Sequence, residues 1–335
     1  QTIQLMPGAK ELIHWCQAHN LPTAIVTRNT KRTTAVLQKL LTAGRQDNQN
    51  PFARAVIARD DPPDVPPKPD PAALFKICAD IGLDCDRSVL MVGDSPSNDV
   101  AFGKSAGVST ALLDTGRRST VQNQKRDDHG DVVDGGRTTP DIVVDDLSDL
   151  AQELWKNFEI EGHLGSSLLK YDTPTPTTEA AIAAAAGDLE ALATFTIDQL
   201  NEQDETQNTP LIWASDAGQE NVVRFLLLEK KKRQKKTMID LDVRGYLGAT
   251  AVCRAARRGH TEILKLLAAG GADLDIPNTK LQFPLHFAAF KEHPEAVEAL
   301  LEHGANPRVL DRKGRVPARD TKNVSIRDRL LKAMQ

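Results

Sequence analysis

Along the first 156 residues, short unbroken apolar runs alternate with segments of helical period. Lys10 to His19 places Leu12, Ile13 and Trp15 on one side of a helix, and Thr23-Ala24-Ile25-Val26-Thr27 follows as a run of strand length. A helix over 31–41, a strand over Ala55 to Ala58 and a proline-rich loop over 62–71 come next. Pro71 suits the first turn of a helix over 71–82. Val89 to Val92 is a fully apolar strand, Asn98 to Ala106 a helix closed by Gly107, and Ser109 to Leu113 and Asp141 to Val144 are the last strands. Continuous apolar strands separated by helices predict an α/β, Rossmann-like domain: a parallel sheet covered on both faces. Residues 115–140 are polar, charged and glycine-containing, and read as a long mobile loop.

A linker composition of Gly, Ser, Thr and Pro marks 157–177, and beyond it the period changes. Thr250-Ala251-Val252-Cys253-Arg254-Ala255-Ala256 aligns with Phe283-Pro284-Leu285-His286-Phe287-Ala288-Ala289 at an offset of 33. Thr209-Pro210-Leu211-Ile212-Trp213-Ala214 is a third copy, and Ala180 to Gly187 a degenerate fourth. Leu226-Leu227, Leu266-Leu267 and Leu300-Leu301 recur in step. Residues 178–335 thus resemble ankyrin repeats, an all-α solenoid whose period is 33 and whose signature is Thr-Pro-Leu-His-x-Ala. Such units cannot bury their apolar side alone and stack. The resemblance implies a protein partner on the concave face, for which Trp213, Arg254 and Phe290 are the candidate contacts. From Thr209 to Thr250 the spacing is 41, the excess falling in the basic run near 229–237, which reads as a solvated loop.

Charge follows the same division. Residues 208–335 hold 23 Lys+Arg against 15 Asp+Glu, a balance of +8, and the residues before them carry −12. No apolar run approaches the roughly 18 residues of a membrane span. Only 4% of residues are aromatic, too few for nucleic-acid stacking platforms. The four cysteines form no Cys-x-x-Cys pair and predict reduced thiols in an intracellular protein, cytoplasmic or nuclear.

Three segments of the first region carry candidate chemistry. Thr27 ends an apolar strand, with Arg28 and Asn29 behind it as pocket lining. Lys68 stands between Pro67 and Pro69 at a helix start, and Gly93-Asp94-Ser95-Pro96-Ser97-Asn98-Asp99 sets two carboxylates five residues apart, with Ser95 as further lining. In an open parallel sheet such strand ends converge on the ligand. A hydroxyl and a fixed cation suit a phosphate, and two carboxylates suit Mg²⁺. Residues 5–152 resemble the haloacid dehalogenase-like hydrolases, in their phosphoglycolate-phosphatase-like branch. Thr27 matches the second motif, Lys68 the third and Gly93-Asp94 with Asp99 the fourth. The resemblance implies a Mg²⁺-dependent phosphatase acting on a small phosphate ester, with Thr27 and Lys68 binding phosphate and Asp94 and Asp99 the metal.

One motif of that family is missing. Its Asp-x-Asp pair supplies the nucleophile, yet residues 1–24 contain no Asp, and neither Asp60-Asp61 nor Asp84-Cys85-Asp86 follows an apolar strand in the required place. The chain is therefore expected to lack its first strand and motif, which would lie upstream of Gln1. The alternative is a catalytically inactive scaffold or interaction protein.

Overall fold

The computed structural model describes residues 5–27, 31–42, 56–58, 66, 68, 70–114, 139–157, 175–232 and 239–335. Arg28, Asn29, Asp60, Asp61 and nearly all of the predicted loop at 115–140 lie outside them. The chain divides into two compact units, Gln1–Gly162 and His163–Gln335.

The first unit runs α1 (Ala9–Ala18), β1 (Ile25–Val26), α2 (Lys31–Thr42), β2 (Val56–Ile57), α3 (Ala72–Ile81), β3 (Leu90–Gly93), α4 (Ala101–Ala106), β4 (Ser109–Leu113), β5 (Ile142–Val144) and α5 (Leu147–Asn157). Every strand pairing among the described residues is parallel, as the apolar runs predict. The sheet is not continuous, however. β1 pairs with β2, while β3, β4 and β5 form a separate three-stranded sheet in that order. Among the described residues, β1 and β3 each have one bonded neighbour. Both sheets still face one core, in which Ile57, Leu74, Ile77, Phe102 and Val108 are buried, with Val26 and Met91 packed against them. β5 is fastened to β4 by Asp141, whose carboxylate accepts from the Thr110 N–H at 2.8 Å and from Lys104 at 2.7 Å. Burial opposes that charge, but Lys104 and the two Thr110 donors outweigh it and hold the carboxyl below its ordinary range.

The second unit is helical: α6 (Glu179–Ala186), α7 (Leu189–Leu192), α8 (Ile197–Asn201), α9 (Pro210–Ala217), α10 (Glu220–Lys232), α11 (Ala251–Arg258), α12 (Thr261–Ala269), α13 (Pro284–Phe290), α14 (Pro294–Glu302) and α15 (Val324–Ala333). The repeated threonine is a helix cap. The side chains of Thr178, Thr209 and Thr250 accept the N–H groups of Ala181, Ile212 and Cys253 at 3.3, 3.4 and 3.3 Å. Where Phe283 replaces threonine, Nδ1 of His286 accepts the Phe283 N–H at 3.4 Å. A fifth copy is also present: the single turn Pro317–Arg319, whose Val316 lies 33 residues after Phe283.

Adjacent repeats are joined by a side chain that reaches backwards. Gln219, His260 and His293 occupy equivalent positions, and their side-chain nitrogens donate to the carbonyls of Ala185, Asp216 and Arg257 at 3.0, 3.3 and 3.3 Å. This explains the glycines that close the first helices. Gly218 and Gly259 have φ of 77° and 75°, and a Cβ on either would lie 2.8 Å from the ring of His260 or His293. Backbone conformation and space both require glycine there.

The basic run departs in part from the loop reading. α10 continues through Lys232, so its first residues are helical, while 233–238 lie outside the described residues. Deleting residues 233–236 is expected to change stability by less than about 1 kcal/mol, or about 2–4 °C in the melting midpoint, because loop-closure entropy varies slowly with length. A thermal melt that loses cooperativity would show that the run belongs to the stack.

Candidate functional site

The fourth-motif segment lies between the end of β3 and α4. After Gly93 the chain makes a wide helical turn in which the N–H groups of Asp99 and Val100 both reach the Ser95 carbonyl, at 2.8 and 3.2 Å. The second of these spans five residues, a widened geometry that recurs at functional sites. The Ser95 hydroxyl caps the turn, accepting from the Asn98 N–H at 3.3 Å and its side-chain amide at 3.0 Å. The turn carries Asp99 back over the strand end. There a Cβ on Gly93 would lie 2.3 Å from Asp99 Cβ and Cγ, so glycine is what lets the carboxylate occupy the site.

Lys68, 31 residues earlier in sequence, meets that carboxylate. Its Nζ donates to Asp99 Oδ1 at 2.8 Å, with side-chain exposures of only 8% and 14%. Asp99 Oδ2 accepts the Ser95 N–H at 3.3 Å. The ammonium also lies 5.1 Å from the centre of the Phe102 ring, within the range of a cation–π contact. The structure thus brings Lys68, Ser95 and Asp99 together. Each Asp99 oxygen accepts one hydrogen bond inside the site, from Lys68 and from Ser95. Asp94 stands one residue after β3 ends. Thr27 follows β1 directly, its N–H donating to the Ile57 carbonyl at 3.0 Å.

As hard oxygen donors, these carboxylates suit Mg²⁺, which takes few of them and keeps several waters. Among the described residues, however, no three His, Cys, Asp or Glu side chains gather into a metal cluster, so they fit as part of a donor set. Two of the cysteines are held as thiols. Burial pushes the Cys16 thiol up to about 12, and burial together with the adjoining Cys78 thiol pushes Cys85 up to about 12.

In the helical unit the three candidate contacts separate. Trp213 is 8% exposed and its indole Nε1 donates to Asp204 Oδ2 at 2.7 Å. This corrects the expectation of an exposed anchor: the ring is part of the stack. Asp204 was not singled out from the sequence. Its other oxygen accepts the N–H groups of Thr206 and Asn208 at 2.9 and 3.0 Å, and the turn-forming stretch Asp204-Glu205-Thr206-Gln207-Asn208 was the available signal. Arg254 is largely buried, at 9% exposure. Phe290 is 63% exposed, as a contact residue requires. No helix among the described residues is long and apolar enough to cross a membrane.

Comparison with known proteins agrees with this division. The haloacid dehalogenase-like hydrolase model matches residues 1–107 and the HAD-hydrolase-like model residues 65–150. Ankyrin-repeat models match 206–233 and, as three copies, 235–311. The chain carries a haloacid dehalogenase-like hydrolase region followed by an ankyrin-repeat region. Among its relatives is a haloacid dehalogenase-like hydrolase domain-containing protein of Arabidopsis thaliana, 35% identical over 159 residues, 47% of this chain and 56% of that protein. A phosphoglycolate phosphatase of Pseudomonas syringae pv. tomato is 34% identical over 141 residues, 42% of this chain and 44% of that one. The human transient receptor potential cation channel subfamily A member 1 is 28% identical over 197 residues, covering 48% of this chain and 18% of the channel. The chain spans about half the length of the hydrolase relatives it matches.

Proposed function

We propose that the first unit supplies the phosphate-binding and metal-binding side of a Mg²⁺-dependent phosphomonoesterase centre for a small phosphate ester, and that the ankyrin unit binds a protein partner. The observation that carries the first half is the lysine held at 2.8 Å on Asp99 beside the strand end bearing Asp94. A fixed ammonium is what a phosphoryl group needs, because positioning and charge stabilisation do most of the work in its transfer. Asp99 orients Lys68, Lys68 binds a phosphate oxygen, and the Thr27 hydroxyl donates to another. Asp94 and Asp99 would hold Mg²⁺, which when bound neutralises charge on the phosphoryl oxygens.

Among the described residues, none takes the role of nucleophile in this reading. Among the described residues β1 and β3 each have one bonded neighbour, and a further strand bonded to both would join the two sheets. The second reading, an interaction protein that keeps the first unit as a scaffold, is favoured by the same missing aspartate.

The experiment is phosphate release from an aryl phosphate with Mg²⁺. This chain is expected to give none. A chain extended by an apolar strand ending in Asp-x-Asp is expected to turn over, and to lose about 10²–10³-fold on Asp94→Ala or Lys68→Ala. Wild-type rates in the Lys68 variant would remove the lysine from the site. Turnover by the unextended chain that Asp94→Ala abolishes would mean that another residue attacks phosphorus.

A further inference from the structure

Arg254 is the most poorly satisfied buried cation among the described residues of the ankyrin unit. Its guanidinium has five N–H donors. One bonds the Tyr246 carbonyl at 3.4 Å, Asp216 lies 3.9 Å from Nη1, and Nε is buried without a partner. A buried charge left in this state is costly. An apolar side chain fits the position: the equivalent residues of the flanking repeats are Trp213, 41 residues before, and Phe287, 33 after. Stacking alone therefore does not explain an arginine here.

The surroundings extend the pattern. Arg257 and Arg258 follow three and four residues later, on the same face of α11, and both are exposed. At the matching positions of the next repeat stand Phe290, 63% exposed, and the exposed Lys291, whose Nζ lies 5.6 Å from the Phe290 ring centre. On the second helices cations are matched within the helix, Arg224 with Glu220 at 2.6 Å and Lys265 with Glu262 at 2.7 Å, and on this face Arg258 is matched with Asp216 at 2.9 Å.

We propose that this face of α11 and α13 binds an acidic, partly apolar protein segment, one carboxylate of which completes the hydrogen bonding of Arg254. The inference rests on the reading of the ankyrin unit as a protein-binding module and names its partner's chemistry. A planar guanidinium takes a carboxylate through two parallel bonds, and Arg257, Arg258 and Lys291 meet further acidic side chains. Phe290 offers the apolar contact. A nucleic-acid backbone fits less well, because it offers exposed Phe290 no matching apolar group and the chain is too poor in aromatics to stack bases.

The test uses the whole chain and a fluorescent peptide of alternating Glu and Leu. The same peptide with Gln for Glu, one with phosphoserine for Glu, and a single-stranded oligonucleotide serve as comparisons. The Glu peptide is expected to bind best and to lose about thirtyfold or more in affinity on Arg254→Met. The melting midpoint of that variant is expected to rise, because a buried charge without adequate partners is replaced by an apolar side chain. A purely structural arginine would move the midpoint down instead. Should Arg254→Met fail to fold, Arg257→Ser with Lys291→Ser, both at exposed positions, must weaken the Glu peptide with the midpoint unchanged. Equal binding of the Gln peptide, tighter binding of the phosphopeptide or oligonucleotide, or indifference to these variants overturns the proposal. If the chain captures a protein from cell extract and Arg254→Met leaves the capture intact, protein binding stands and the acidic partner falls. If nothing is captured and no peptide binds, both fall.

Discussion

Gly93→Ala is expected to destabilise the first unit by about 3–5 kcal/mol and to break the Lys68–Asp99 pair. Overpacking a dense site costs about 1–3 kcal/mol, and separating a largely buried ion pair costs as much again or more. The geometry leaves little relief. The added Cβ would meet Asp99 Cβ and Cγ at 2.3 Å, and Asp99 lies in a helical turn whose own N–H is bonded to Ser95 at 2.8 Å. Side-chain rotation does not move a Cβ, so the turn itself has to shift, and with it the carboxylate that holds Lys68. Chemical denaturation gives the energy, and hydrogen exchange at Asp99 and Val100 locates the damage. A variant with unchanged exchange at those amides and a loss under about 1 kcal/mol would mean that strand and turn part easily.

The second large effect is on the acid response of the ankyrin unit, where two buried groups act in opposite directions. His286 Nε2 lies 2.8 Å from the Arg315 carbonyl, which only accepts, while Nδ1 faces the Phe283 N–H, which only donates. The neutral ring is therefore the one that fits, and burial pushes its pKa down from 6.5 to about 4. Below pH 6.5 the unfolded chain binds this proton and the folded one does not, so stability falls as pH drops from 6.5 to 4. About 3 kcal/mol is at stake.

Asp320 shares Arg315 with Asp311, at 2.9 and 2.6 Å. Burial, with the Asp311 charge adding and Arg315 opposing, raises its carboxyl from 3.8 to about 6. Here the folded state takes the proton first, so its contribution is full below pH 3.8 and is lost as pH rises through 6. With allowance for solvent screening it is worth about 2 kcal/mol. The wild-type chain should accordingly show a shallow slope between pH 6 and 4, and Asp320→Asn a steep loss over the same range. Urea midpoints followed through amides of Leu285 to Ala289 measure this. Parallel slopes for the two proteins would rule out Asp320 as the compensating group.

Much of this architecture was legible because local chemistry and packing agree. Four of the five strands lie within their predicted runs, and the fifth, β3, is displaced by one residue. The threonine caps and their period identify the stack without any contact information. What escaped was non-local. Trp213 looked like an interface anchor because tryptophan often is one. Only the folded turn reveals that Asp204 takes its indole proton. The basic run read as loop because like charges repel, yet the helix begun at Glu220 carries its first members through Lys232. Lys68 and Asp99 were singled out separately, and their direct pairing needed the turn after Gly93.

The backward reach of Gln219, His260 and His293 gives the stack a direction. In each case the acceptor carbonyl belongs to the earlier repeat and the donor to the later one. A ribosome releases the chain in that same order. Every new repeat therefore emerges to find its docking carbonyl already in place, and the solenoid can grow vectorially, with no repeat waiting for a donor's missing acceptor. Shortening from the two ends is correspondingly unequal. Removal of the last repeats strips donors from carbonyls at a solvent-facing end, which water satisfies. Removal of the first leaves a side chain reaching for a surface that no longer exists.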